Sequence, residues 1–492
     1  MAELGRAPAN DQVFPPAGFA VKFVSGFSQA VDYLKYISYE LFVLFFYSQV
    51  LGLPGTLAGL AILMAMIVDA ITDPVVGSWS DSVRSKIGRR HLPMLLAVLP
   101  VGFFFFLLFS PPAGLGQWGL FAWLAGVSIC LRTAFTFFAA PAHALTAEIS
   151  PYPADRAEMG IYRQLISAVV QFALLAVAFD WFFSATDEFP NGQENPAAYP
   201  PFGLAGAAAI MFFMMVTFGG TWKHILKFER NLGPATRAPF SFSKSIKGWV
   251  SALAGSKNFR AIFFGLLLAS TMGSCYRALS LYLGTYLWEL EPTQIKLWQQ
   301  VVLVGMFVMA ICARFVVTRI EPKYVYLTGY CLLLGSYAVP PALTLLGVLP
   351  PAGTSSLAYI LYGFNAMAGA GAGLIMICSL ILFAEAADEF FFVNAVSKTG
   401  MLFGLVTFGN KAASGTGKLI AGWLTDAVGF PSAENIDKLT PEILLSLTSW
   451  LVVITFVIGI AGFLMLSTYH LSRARHAEVL AGIRKLTTEA AG

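Results

Sequence analysis

The sequence predicts an all-α polytopic membrane protein, with twelve transmembrane helices in two six-helix bundles and both termini cytoplasmic. Three observations carry that prediction. The 492 residues are 57% hydrophobic and only 12% charged, about half the charge of a typical soluble domain. Mean hydropathy is +0.71, and a water-soluble fold of this length exposes too much surface to hide such a composition. Lysine and arginine, finally, are concentrated in alternate loops between the apolar runs, the asymmetry that orients membrane helices.

The apolar runs fall at 22–49, 55–80, 92–110, 116–147, 160–184 and 201–222. After a polar stretch at 223–257 they resume at 258–288, 297–318, 324–347, 354–384, 391–425 and 441–469. Each is long enough for a helical span of about 20 residues, and such continuous runs exclude a β-barrel, whose spans are short and alternating. The division is therefore a cytoplasmic segment at 1–21, an N-terminal bundle at 22–222, a cytoplasmic linker at 223–257, a C-terminal bundle at 258–470 and a cytoplasmic tail at 471–492. Residues 1–21 are polar and Pro-rich and have no signal-peptide pattern.

With the N-terminus inside, the cytoplasmic loops hold Arg84, Lys86, Arg89, Arg90, Arg156, Lys223, Arg237, Arg319, Arg473 and others, whereas the opposite loops hold only Lys296 and Lys438. The net charge of +4 is thus spread over short loops, which disfavours nucleic acid as a partner. The five cysteines, Cys130, Cys275, Cys312, Cys331 and Cys378, lie in apolar runs without metal-ligand spacing and read as small buried hydrophobes.

Six ionisable residues lie deepest in the spans: Asp32, Asp69, Asp73, Arg132, Arg277 and Lys411. Each costs about 2.5–3.5 kcal/mol at mid-helix, so they are expected to face one another or a wet cavity at one level. Lys35, Glu40, Lys398 and Lys418 lie nearer the ends, where long side chains reach the interface. Asp69 and Asp73 are four residues apart and share a helix face. Two carboxylates that close resist joint ionisation unless a cation joins them, which marks a cation or proton site. Pro74 follows directly and frees a backbone carbonyl. The alternative is purely structural pairing, Asp69 with Arg132 and Asp32 with Lys411.

The run Asp69-Ala70-Ile71-Thr72-Asp73-Pro74, followed by Gly77, Asp81, Arg84-Ser85-Lys86 and Gly88-Arg89-Arg90, resembles the second-helix signature and following loop of the glycoside–pentoside–hexuronide cation symporters, within the major facilitator superfamily. Asp32, Arg163 and Asn410-Lys411-Ala412-Ala413-Ser414 fall where that family keeps an acid, a sugar-binding arginine and a lysine. The resemblance implies that Asp69, Asp73 and Thr136 bind the coupling cation, that Asp32 and Arg163 hold substrate, and that Lys411 couples the two bundles. It also implies that Asp81, Arg84, Arg89 and Arg90 form an inner gate. The fourth span departs from the pattern: Phe135 replaces a tyrosine, Ala139 the third acid, and His143 a tryptophan set against the sugar.

Sodium needs several hard oxygens, whereas a proton needs one suitable carboxylate. Proton coupling is therefore expected, with sodium at Asp69 and Asp73 as the alternative. Arg132 and Arg277 enrich the cavity in cations, and with His143 they join the candidate substrate residues for a polar or anionic solute. Glu385, Asp388 and Glu389 are candidates to pair with the loop at 84–90, the linker for a surface amphipathic helix, and most tryptophans for interface anchors. The expected function is secondary active symport of a sugar, glycoside or related solute by a monomer in the inner membrane. Its partners are the solute, the coupling cation and lipids, with no other cofactor. A lysophospholipid transporter of the same fold is the alternative. An intramembrane enzyme is remote, because no nucleophile–base or metal cluster is apparent.

Overall fold

The computed structural model describes residues 17–83, 85–229, 242–394 and 399–489, and these contain helices and no strand. The first apolar run bends through α1 (Phe19–Ser25) and α2 (Phe27–Ile37) into π-helical turns at Ser38–Val43 and Phe46–Val50. There follow α3 (Gly55–Ser82), α4 (His91–Leu108), α5 (Gln117–Ile149), α6 (Pro153–Val177) and α7 (Tyr199–Glu229). A shorter α8 (Phe242–Gly255) precedes α9 (Lys257–Tyr282), α10 (Pro292–Arg319), α11 (Pro322–Leu345), α12 (Ser355–Asn394), α13 (Thr399–Ala427), α14 (Pro441–Ser467) and α15 (Arg473–Glu489).

Among the described residues, eight helical segments are long and apolar enough to cross a membrane. The first apolar run, α10, α11 and α13 are not among them; the first and last of these four carry Lys35, Glu40, Lys411 and Lys418. Several boundaries differ from the hydropathy reading, two of them for a clear physical reason. Helix α6 begins at Pro153 instead of 160, because proline at the first helical position sacrifices no hydrogen bond. Helix α12 continues past 384 through Glu385, Asp388 and Glu389, polar turns that hydropathy cannot register.

Helices before α8 pack mainly on one another, as do those after it: α4 on α5 and α7, α2 on α6 and α7, α10 on α12, α11 on α12 and α14, and α9 on α13 and α14. The broadest contact between the two groups is α3 with α13. Glycine permits it, since a Cβ on Gly422 would lie 1.9 Å from the Gly55 carbonyl oxygen and one on Gly59 would lie 2.6 Å from Leu419 Cα.

Further bonds join the groups at the end beyond this contact. The Asp426 carboxylate accepts from the Gly55 and Thr56 amides, each at 2.7 Å, neutralising the exposed donors that open α3. Gln193 donates to Thr285 at 2.8 Å, Gln49 to the Tyr286 hydroxyl at 2.9 Å, and Tyr286 in turn to Glu194. Lys296 meets Asp180 at 2.5 Å. At the opposite end the pairs between described residues stay within one group, such as Lys22 with Asp155 at 3.2 Å and Asn258 with the His470 amide at 2.8 Å. Among the described residues, the bonds that latch the two groups together at an end therefore lie at the first of these ends.

Several side chains sit differently from expectation. Trp288 and Trp298 are fully buried, packed edge to face at 5.3 Å, and are not interface anchors. Only Cys275 and Cys378 are buried, while the other three cysteines are exposed. Helix α8 lays Trp249 on Phe408 of α13, with ring centroids 5.3 Å apart.

Candidate functional site

Asp69 and Asp73 project from one face of α3 towards α5 and α13. Arg132, one span away on α5, places Nη1 3.0 Å from Asp69 Oδ2 and its guanidinium 4.5 Å from the centre of the Tyr39 ring. Lys411 on α13 reaches across with Nζ 2.8 Å from Asp69 Oδ2 and 2.5 Å from Asp73 Oδ2. The Thr136 hydroxyl lies 3.2 Å from Asp69 Oδ1, 3.0 Å from Asp73 Oδ1 and 3.0 Å from the Arg132 carbonyl. It has one proton for three acceptors. Asp69 is almost wholly buried, whereas Asp73 is about one-third exposed, at 35%. Two carboxylates thus face two cations, and the cluster is neutral as it stands.

A second buried cluster has its centre at Glu40. Lys418 donates to Oε1, Ser414 donates to the same oxygen at 3.0 Å, and Arg277 Nε lies 3.2 Å from Oε2. Lys418 is fully buried and Glu40 nearly so. Contrary to the expectation from the sequence, Glu40 and Lys418 do not snorkel; helix α13 pairs them across the interface. Arg277 belongs to this cluster and not to the Asp69 level. Glu40 lies about three turns from the latched end of its helix and Asp69 about four, so the clusters form two layers about 5–7 Å apart.

Asp32 pairs with His143, Oδ2 to Nε2 at 3.4 Å, and not with Lys411. Arg163 donates to the Ala142 carbonyl at 3.1 Å. Lys35 places its ammonium 3.2 Å from the centre of the Phe135 ring. A cavity of about 490 Å³ brings together Asp32, Lys35, Asp69, Arg132, His143 and Lys411, within the range of small-molecule sites; Arg163 does not line it. Among the loop residues, Arg89 and Arg90 both bond Glu148, at 2.8 and 2.9 Å, and Arg90 also bonds Ser80 at 2.8 Å. The Asp81 side chain, Arg84 and Lys398 lie outside the described residues. Glu385, Asp388 and Glu389 bond Tyr469, His476 and Asn258.

Glu40, Lys418 and Lys35 are only weakly marked as site residues by the sequence. One signal was available: Lys411 and Lys418 are seven residues apart on one helix, two turns along the same face.

Chemically, the first cluster offers a cation two possible routes of binding. A proton can add to Asp73, the more exposed acid, with Thr136 turning to accept its hydrogen bond. A sodium ion would have oxygens from Asp69, Asp73 and Thr136, but the Lys411 ammonium lies between the carboxylates and would have to move. No group of three or more metal-ligating side chains occurs among the described residues.

A family model described as MFS/sugar transport protein matches residues 28–473. The chain is 22% identical to the "Putative glycoside/cation symporter YagG" of Escherichia coli K12, over 88% of this chain and 87% of that one. It is 21% identical to the glucuronide carrier protein homolog of the same organism, over 90% of each. An uncharacterized symporter of Synechocystis is 34% identical over 127 residues, 25% of this chain and 23% of that protein. Among solved structures, a bacterial homolog of the human lysosomal transporter Spinster, inward-facing and unoccupied, aligns with a TM-score of 0.60 at 12% identity, covering 92% of this chain and 96% of that one. The nucleoside transporter NupG aligns at 0.57 and 12% identity, covering 90% and 98%. These two share the fold alone.

Proposed function

Because the chain belongs to the MFS/sugar transport protein family, and is a multi-pass membrane transporter and not an enzyme, we propose that it is a proton-coupled symporter of a glycoside or related polar sugar derivative. It works as a monomer in the inner membrane. Twelve spans form two six-helix halves, 22–222 and 258–470, with both termini and the 223–257 linker cytoplasmic.

The observation that carries this reading is the position of Lys411 between Asp69 and Asp73. The carboxylates sit on one half and the ammonium on the other, so a cation arriving at the carboxylates competes with the bond that joins the halves. Binding at Asp73 weakens the Lys411 bridge, frees α13 from α3 and readies the cavity for solute. Solute held by Asp32, His143 and Arg132, with Arg163 behind them, then lets the halves rock. Proton is favoured over sodium because Lys411 fills the space between the carboxylates and Ala139 supplies no further oxygen.

Counterflow of labelled phenyl β-glucosides, phenyl β-glucuronides and lysophosphatidylcholine in proteoliposomes tests the class. Exchange of a sugar derivative supports the proposal. Exchange of lysophosphatidylcholine alone would replace it with an amphiphile transporter.

A further inference from the structure

Arg277 has hydrogen-bonding capacity that the protein does not use. Its Nε donates to Glu40, but among the described residues its two terminal nitrogens have no hydrogen-bond partner, and the side chain is 35% exposed. That exposure faces a second cavity of about 110 Å³ between the two helix groups, where Ile37, Glu40 and Gln171 of one group meet Tyr276, Tyr337 and Trp298 of the other. Tyr276 and Tyr337 stack there with centroids 4.3 Å apart.

The charge around Glu40 does not balance. One carboxylate is shared by Lys418 and Arg277, which leaves one positive charge in surplus among low-dielectric walls. Two cations that share one carboxylate are incompletely compensated, and an arriving anion relieves the surplus. Arginine suits the role because its planar fork binds oxyanions through two parallel hydrogen bonds. The cavity is too small for a whole glycoside, since small-molecule sites run to about 300–1,000 Å³. It adjoins the 490 Å³ cavity at Glu40, which lines both, so displacement of that side chain would join the two.

We propose that the transported solute carries an anionic oxygen group, and that Arg277 receives this group in the smaller cavity while the sugar ring occupies the larger one. This rests on the symport reading. It goes further by giving the solute a charge and by placing that charge on the half opposite the Asp69 cluster. When the latched end opens, Glu40 withdraws from Arg277 and Lys418, and the solute's anion takes its place.

The test uses the full chain in detergent and in proteoliposomes, with matched probes: phenyl β-glucoside, phenyl β-glucuronide and the 6-sulfonate of the glucoside. Wild type is expected to bind one or both acids at least about tenfold more tightly than the neutral glucoside. The acid that wins distinguishes carboxylate from sulfonate, and either supports the proposal. Arg277→Gln is expected to reduce the preference to about threefold or less. Arg277→Lys keeps the charge opposite Glu40 and serves as the folded control, and it should retain part of the preference. Equal binding of acid and neutral probes by wild type, or an undiminished preference in Arg277→Gln, overturns the proposal while leaving symport intact. Absence of binding and exchange for every sugar probe overturns the symport reading, and this proposal with it.

Discussion

Lys411 on α13 holds Asp73 on α3 at 2.5 Å, and the two residues come from the two helix groups that meet in the broadest contact between them. Its ammonium also touches Asp69, so it fills the gap between two carboxylates that would otherwise repel. Under the proposed symport, a coupling cation and Lys411 would compete for the same oxygens, and that competition would link ion binding to movement of the halves without any long pathway.

The two carboxylates should differ sharply in what their removal costs. Asp69 is buried against Arg132 and Lys411, so Asp69→Asn strands buried cations and is expected to destabilise by about 3–5 kcal/mol. Asp73 is one-third exposed, and Asp73→Asn should cost about 1 kcal/mol or less, as water screens the lost pair. Thermal unfolding in detergent checks the order. A larger loss for Asp73→Asn would contradict the described burial.

Glu40 supports the second layer. Glu40→Gln leaves the fully buried Lys418 without its carboxylate and is expected to lower stability by about 3–5 kcal/mol. Adding Lys418→Met should recover at least half of the loss, because an apolar side chain replaces a stranded charge. Equal unfolding temperatures for the single and double variants would show that the pair is not coupled.

Much of this was legible in the sequence. The helical class, the expectation that Asp69 and Asp73 face cations, and the Asp69–Arg132 pair all follow from the cost of charge in an apolar span. Glu40 and Lys418 were misjudged because distance from a span's end measures depth and not direction, and both side chains turn inward. Arg277 was assigned to the wrong layer for a related reason: counting residues along a helix resolves depth only to about a turn. The Asp32–His143 pair required tertiary placement, since neither residue's partner is marked by spacing along one helix.

Close approach of α3 and α13 gives a conformational prediction. Gly422→Val places side-chain atoms where the Gly55 carbonyl now lies, so the latched end cannot close as described. Spin labels at Glu188→Cys and Glu434→Cys, one on each side of that end, should move apart in the Gly422→Val background. An unchanged distance would show that the contact is not what closes it.

The latch also carries a pH dependence. Burial raises the Glu194 carboxyl above its ordinary range, against the opposing hydrogen bond from Tyr286. Opening exposes it to water and returns it to its usual value, so the closed latch binds the proton more tightly than the open one. Acid at that end therefore favours closure, and closure weakens as pH rises from the ordinary glutamate range through the raised one. The same spin-label distance, followed against pH, should lengthen as pH rises in wild type and lose this component in Glu194→Gln. A pH response of equal size in both would assign it to another group.

The most direct test of cation coupling at the Asp69–Asp73–Lys411 cluster is solute-evoked charge movement in proteoliposomes, recorded across pH, with and without sodium, for wild type and Asp73→Asn. The account predicts a current that a proton gradient supports in the absence of sodium and that disappears in Asp73→Asn while solute binding persists. A current that requires sodium, or one that survives Asp73→Asn at full size, would contradict it.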